Sequence, residues 1–245
     1  VKDYVHPETG KTYNVDKLEL KTDEGRGFGK AKFILKEGGT LGDLYTHADL
    51  KRDINGNILI DDSGNVTAID NAGDIKLGSV LPKANLAWNN SFSYKGINAG
   101  FLLTARLGGI VYSATQAYLD LYGVSETSAA ARDAGGVWIN GRSHVNPQSF
   151  YEVVASQSGL PTYYTYSATN LRLQEAHIGY TVPRRWLGNV CDINVSLVGR
   201  NLWMIYCKAP FDPEAVATTN NYYQGIDYFM MPSTRNIGFN IKINF

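Results

Sequence analysis

The chain has 245 residues, with 23 acidic residues balancing 23 basic ones, so net charge gives a nucleic-acid partner no support. Its 25 glycines and 16 tyrosines favour strands and turns over long helices. No apolar run approaches the roughly 18 residues of a membrane helix, yet a membrane barrel stays open, because barrel strands alternate and score low on hydropathy.

No initiator Met or signal-peptide pattern opens the sequence, which is therefore expected to begin inside a longer protein or after processing. Residues 1–83 hold 14 of the 23 acidic and 12 of the 23 basic residues and read as loop with small hairpins. "PETGKTY", "DINGNILIDDSGNV" and "DNAGDIKLGS" are dense in turn residues, and Asn55-Gly56 and Ser63-Gly64 favour tight reversals. The group Asp53, Asn55, Asn57, Asp61 and Asp62 has the composition of a calcium loop. Ile58 stands where an EF-hand needs Gly, so solvated turns are expected, with a cation site as the alternative. "GRGFG" (25–29) lacks phosphate-cradle spacing and reads as a flexible turn.

From residue 84 the pattern becomes regular. Leu86, Trp88, Phe92 and Tyr94 share one parity, broken by Asn90; Lys95-Gly96 turns the chain; then Ile97, Ala99, Phe101, Leu103, Ala105 and Leu107 share one face. Residues 110–168 interrupt this rhythm with two short helix candidates, "SATQAYLDLY" and "SETSAAARDAGG", the second with weak capping signals at Ser125 and Ser128. Strand periodicity returns in "NLRLQEAHIGYTVP", where a parity slip near Gln174–Ala176 predicts a bulge. "RRWLGN" links it to "VCDINVSLVGRNLWMIY". Cys191 and Cys207, if on one extended strand, lie about 50 Å apart, far beyond the roughly 7 Å a disulfide allows, and free thiols are expected. A second long loop (207–234) precedes "NIGFNIKINF", in which Ile237, Phe239, Ile241, Ile243 and Phe245 alternate with polar or small residues.

Short and long connections therefore alternate, as in outer-membrane barrels. Ten residues tilted by about 45° rise close to 23 Å, near the apolar band of such barrels, whereas soluble strands are commonly five or six residues long. Tyr94, Tyr180, Trp186 and Phe245 fall at the short-turn end, and Tyr112, Trp203 and Tyr206 at the long-loop end, the arrangement of two interfacial belts. A soluble, secreted β-domain that binds carbohydrate is the alternative.

"NVSLVGRNLWMIYCKAPFDPEA" and "GIDYFMMPSTRNIGFNIKINF" resemble the C-terminus of the SusC/RagA-type TonB-dependent transporters. The resemblance rests on Arg200, Asn201, Leu202 and Trp203, on Phe211, Asp212, Pro213 and Glu214, on Gly225–Tyr228, on Pro232 and on Phe245. "KEGGTLGDLY", "SFSYKG", "RLGG", "YGVSETSAAARDAGG" and "TNLRLQEAHIGYTVP" match family segments in the same order, so the likeness covers roughly residues 30–245. It implies an all-β fold: the last five antiparallel strands (84–245) of a transmembrane barrel of about 22 strands with long extracellular loops at 110–168 and 207–234. It implies residence in the outer membrane of a Gram-negative bacterium, contact with lipid, a SusD-like surface lipoprotein as partner, and import of glycans or oligopeptides. Energy comes from the TonB complex through a plug region that this chain lacks. Phe239, Ile241, Ile243 and Phe245 then correspond to the terminal barrel-assembly signal.

No catalytic constellation is visible: His6, His47, His144 and His177 are scattered without metal-ligand spacing, no nucleophile elbow occurs, and no cofactor is implied. The candidate substrate-binding residues are Tyr222, Tyr223, Asp227 and Tyr228, because rings stack on sugar faces and carboxylates accept from sugar hydroxyls. Phe211–Glu214 reads as structural, with Asp212 capping a local turn. Asn240, Lys242 and Asn244 are expected to face a lumen or plug.

Overall fold

A computed structural model describes residues 3–5, 7–13, 16–20, 30–141, 143–156, 159–188, 190–217 and 225–244. The chain divides into two units, each gathered from three segments. Val1–Leu81, Ile110–Tyr166 and Val216–Met230 form the first; Pro82–Gly109, Ser167–Ala215 and Met231–Phe245 form the second.

The second unit is an antiparallel sheet of β1 (Ala84–Tyr94), β2 (Ile97–Leu107), β3 (Asn170–Val182), β4 (Asp192–Cys207) and β5 (Asn236–Asn244). Each strand pairs with its neighbour in sequence, so the sheet is a plain meander. Lys95 and Gly96 close the β1–β2 hairpin with φ of +48° and +86°, the geometry of a two-residue type I′ turn. The β3–β4 link is a single 3-10 turn, Arg184–Leu187, stopped by Gly188 in the left-handed region. The predicted bulge is present: pairing slips between Leu173 and Glu175, leaving Gln174 as the extra residue against β2.

Register lines the apolar residues into rows across the sheet. Tyr94, Ile97, Tyr180, Val195 and Ile241 form one row, and Phe92, Ala99, Ile178, Leu197 and Phe239 the next. These rows face outward: Phe92, Ile178, Leu197, Phe239 and Ile241 are 54–78% exposed. Among the described residues, Ala168, Ala209 and Pro213 are the only buried apolar side chains of this unit. The opposite face is polar. Asn98 and Asn194 donate to Thr181 Oγ1 at 3.0 and 2.8 Å, and Ser93 donates to Asn98 at 3.0 Å. Exposed rings gather towards the two ends of the strands, with Tyr94, Tyr180 and Trp186 at one and Trp88, Trp203 and Tyr206 at the other. Tyr112 corrects the expected belt. It is fully buried in the first unit and donates to Gly159 O, because its strand, Ile110–Ser113, belongs to that unit's core.

The first unit has an ordinary apolar core built on Phe33, Leu44, Leu50, Tyr112, Phe150, Val154, Leu160 and Ile226. Residues 17–79 contribute a four-stranded sheet in the order Lys17–Leu20, Ala31–Lys36, Asp43–Thr46, Ile75–Ser79. Strands this short are outweighed in the sequence by their turns. Two such turns repeat one design: Asp53 Oδ1 accepts from the backbone of Asn55 and Asn57, and Asp61 Oδ1 from that of Ser63 and Asn65. Those carboxylate oxygens are occupied by the chain's own amides.

Helices α1 (Ala114–Leu121), α2 (Glu126–Asp133) and α3 (Pro147–Val154) have legible ends. Gly123 (φ +68°) stops α1, with Gly123 N and Val124 N closing on the carbonyls of Asp120 and Leu119, a Schellman pair. Ser125 caps α2 by accepting from Ser128 N. Asn146 followed by Pro147 starts α3. Asp120 joins these pieces: it is buried and accepts from Gln116, Ser125, Thr127 and the Tyr164 hydroxyl. Burial, with Asp120 beside it, raises the Tyr164 phenol well above its usual range, so it stays a donor.

Asp120→Ala leaves the buried Ser125 and Tyr164 hydroxyls without this acceptor and should destabilise the segment by about 1–3 kcal/mol. Hydrogen exchange across residues 114–133 reads it; unchanged protection there would contradict the role given to Asp120.

Candidate functional site

Three arrangements place the residues singled out in the sequence. The first is a kink in β4. Asn201 has φ +50°, a left-handed conformation that Asn tolerates better than most residues. Its Nδ2 donates to Thr234 O at 3.2 Å. Opposite Gln174, β4 carries two residues, Asn201 and Leu202, between the Arg200–Glu175 and Trp203–Leu173 pairs. Leu202 folds back over Gly199, where an added Cβ would stand 2.5 Å from Leu202 Cδ2. The run Gly199–Trp203 is thus dictated by backbone geometry. Arg200 spans to β3, donating to Glu175 at 3.0 Å.

The second is a buried ionic knot. Asp212 accepts from Arg172 Nη2 at 2.7 Å and from the backbone of Glu214 and Ser233 at 3.1 and 3.2 Å. Arg172 also donates to Ser233 Oγ at 3.0 Å and lies 3.6 Å from Glu214, which accepts from Asn170. The bond from Glu214 N is the local cap expected of Asp212, and Pro213 lies between the two acids. Arg172 is buried and carries no local sequence signal, its partner standing 40 residues away. Burial pushes the Asp212 carboxyl up, but the bonds from Ser233, Arg172 and Glu214 outweigh it and hold it below the usual range.

The third is the loop after residue 224. Gly225 (φ +71°) leads into Ile226-Asp227, which pairs in parallel with Tyr112-Ser113. Asp227 is buried and accepts from Ser113 Oγ at 2.6 Å. Its carboxylate anchors this loop and is turned away from solvent. Tyr228 is half exposed, with its ring 6.2 Å from Tyr118 and 5.4 Å from Phe229, and Phe229 N donates to Thr115. Tyr222, Tyr223 and Phe245 lie outside the described residues, as does 25–29. Phe239, Ile241 and Ile243 stand on the exposed edge strand β5, and both cysteines are free. Among the described residues no group of three metal-ligating side chains occurs. Among the same residues no helix is long and apolar enough to cross a membrane, which says nothing of strands.

No family profile matches the chain. It is similar to a TonB-dependent receptor. That relative, TonB-dependent receptor P3 of Formosa agariphila, is 23% identical over 254 residues, covering 93% of this chain and 24% of the relative. Solved structures of the RagAB peptide importer share the fold. The 'closed-closed' state matches at TM-score 0.53 and 14% identity over 94% of this chain and 28% of the other. The 'open-open' state matches at 0.53 and 16% over 100% and 24%. The chain thus spans about a quarter of the length of the proteins it matches. Mostly antiparallel strand, it has the fold of a portion of a TonB-dependent barrel transporter.

Because the folded Asp212 carboxyl sits below its ordinary value, its contribution is fully present above that ordinary value and is lost as pH falls through the lower, folded one. Asp212→Asn should flatten that acid limb in a proteolysis titration of residues 207–217; a variant as acid-sensitive as the parent would refute the linkage. Arg172→Met should lower stability by about 3–5 kcal/mol, read as a fall in unfolding midpoint, because it strands a buried acid.

Proposed function

We propose that this chain is part of an outer-membrane TonB-dependent importer of glycans or oligopeptides that works with a SusD-like surface lipoprotein in a Gram-negative bacterium. One observation carries the reading: the five-stranded sheet turns its apolar rows outward and has almost no core of its own. In water so large an apolar surface is a liability; in hydrocarbon it is the solvated face. Strands of 11, 11, 13 and 16 residues in β1 to β4 suit a tilted bilayer crossing. Asn98, Thr181, Asn194 and Lys242 line the lumen side of such a barrel.

Five strands are fewer than the eight of the smallest such barrels, and β1 and β5 each pair on one side among the described residues. The remaining strands, the plug and the TonB contact belong to the rest of the transporter. The similarity to a TonB-dependent receptor and the shared fold with the RagAB peptide importer support this reading. Within the loops, Tyr228 with Tyr222 and Tyr223 supplies rings for substrate, while Asp227 holds the loop that carries them. The chain supplies scaffold and binding surface, with no enzymatic role.

Ile241→Arg places a cation on the outward face and should cost about 2–4 kcal/mol if that face meets the bilayer midplane. Expressed within the whole transporter, the variant should lose outer-membrane assembly, seen as loss of heat-modifiable migration in the membrane fraction. Normal assembly, or a parent chain that stays soluble and monomeric without detergent, favours a secreted carbohydrate-binding β-domain instead.

A further inference from the structure

We propose, resting on the barrel reading above, that the two tight connections of the sheet form a headgroup site for an anionic phospholipid. The site lies wholly within the second unit, at the end of the sheet opposite Trp203 and Tyr206.

Two neighbouring turns build it. Lys95 and Gly96 close the β1–β2 hairpin, and the 3-10 turn Arg184–Leu187 follows β3. Strands β2 and β3 are paired, and Thr181 N donates to Gly96 O at 2.7 Å, so the two connections are tied side by side. A Cβ added to Gly96 would stand 3.2 Å from Tyr180 Cε2; the missing side chain lets the Tyr180 ring lie against the hairpin. Lys95 Nζ lies 5.1 Å from the centre of the Tyr94 ring. Tyr94 and Tyr180 share the outward row, so this contact holds the Lys95 ammonium towards the outward side of the sheet. In the second connection Arg185 and Trp186 are adjacent and exposed, and Val190 is exposed just beyond them.

Charge selects the headgroup. The chain ends gathered here (91–99, 178–194 and 240–244) carry Lys95, Arg184, Arg185 and Lys242 against Asp192 alone among the described residues. Arg184 takes that carboxylate at 3.1 Å. Among the described residues neither Lys95 nor Arg185 has a carboxylate partner. An excess of cations favours an anion over a neutral or zwitterionic group, and a phosphate diester offers oxygens to both an ammonium and a guanidinium. The neighbouring rings select a lipid over a free anion. Tyr94, Tyr180, Trp186 and Val190 put exposed apolar surface beside the charges, which suits a ligand with a phosphate at one end and acyl chains at the other. Basic side chains at such an interface attract anionic lipid additively.

The test uses the whole transporter, purified in detergent and read by native mass spectrometry with equal phosphatidylglycerol and phosphatidylethanolamine. Lys95→Asn, in which Asn tolerates the φ of +48°, and Arg185→Gln should each weaken phosphatidylglycerol retention about fivefold and leave phosphatidylethanolamine unchanged. Lys95→Arg should keep the parental level. Heat-modifiable migration should be the same in all three variants and the parent, which separates lost binding from lost folding. Retention untouched by both variants, an equal loss of both lipids, or displacement by excess inorganic phosphate overturns the proposal. Loss of co-sedimentation with peptidoglycan while lipid retention stays intact also overturns it. A parent that assembles in the membrane yet fails these arms refutes the headgroup site alone; a parent that stays soluble refutes the barrel reading.

Discussion

The five-stranded sheet depends on satisfying its backbone within itself. Each strand from β1 to β5 pairs with its sequence neighbour over nearly its whole length, so the inner strands β2 to β4 keep most of their amides paired within the sheet. The rows that hold Val195 with Ile241 and Leu197 with Phe239 lie exposed on one face of that ladder. The polar face answers to the same rule from the other side, with Asn98, Thr181 and Asn194 bonding across strands. At the bulge, where pairing fails, a side chain supplies part of what the ladder loses: Asn201 reaches the carbonyl of Thr234.

The first unit solves a different problem. It is gathered from three segments separated in sequence, and local propensity cannot bring such segments together. An apolar core supplies attraction, but it is non-directional. Direction comes from buried carboxylates. Asp227 ties residue 227 to residue 113, Asp49 accepts from Thr162, and Asp43 gathers Thr40 and Lys76. Each accepts from a residue distant in sequence, which ties two segments at a defined point. In the second unit the Arg172–Asp212 pair does the same for the loop that follows β4.

What the sequence made legible was local. Lys95-Gly96, the slip at Gln174, the Ser125 cap and the parity of β1, β2 and β5 all follow from residues within a few positions of one another. The sheet within residues 17–79 was hidden, because strands of four to six residues carry too few periods to outweigh their turns. Helix α3 had a signal in Asn146-Pro147, but its eight residues sit amid turn-formers. Tyr112 was misassigned because a ring at the end of an alternating run looks alike in a belt and in a core, and only the partner segment decides. Asp227 shows the same limit: its type allowed a ligand contact, and Ser113, 114 residues away, makes it an anchor.

That contrast also determines what the likeness to barrel transporters conveys. Within the run Gly199–Trp203, a left-handed Asn201 and the Leu202 side chain folded over Gly199 account for three residues, and the bond to Glu175 for Arg200. Phe211–Glu214 likewise serves Arg172 and a turn. Motifs of this kind follow the geometry of the sheet and are indifferent to cargo. A match at 14–16% identity therefore fixes a fold and leaves chemistry open.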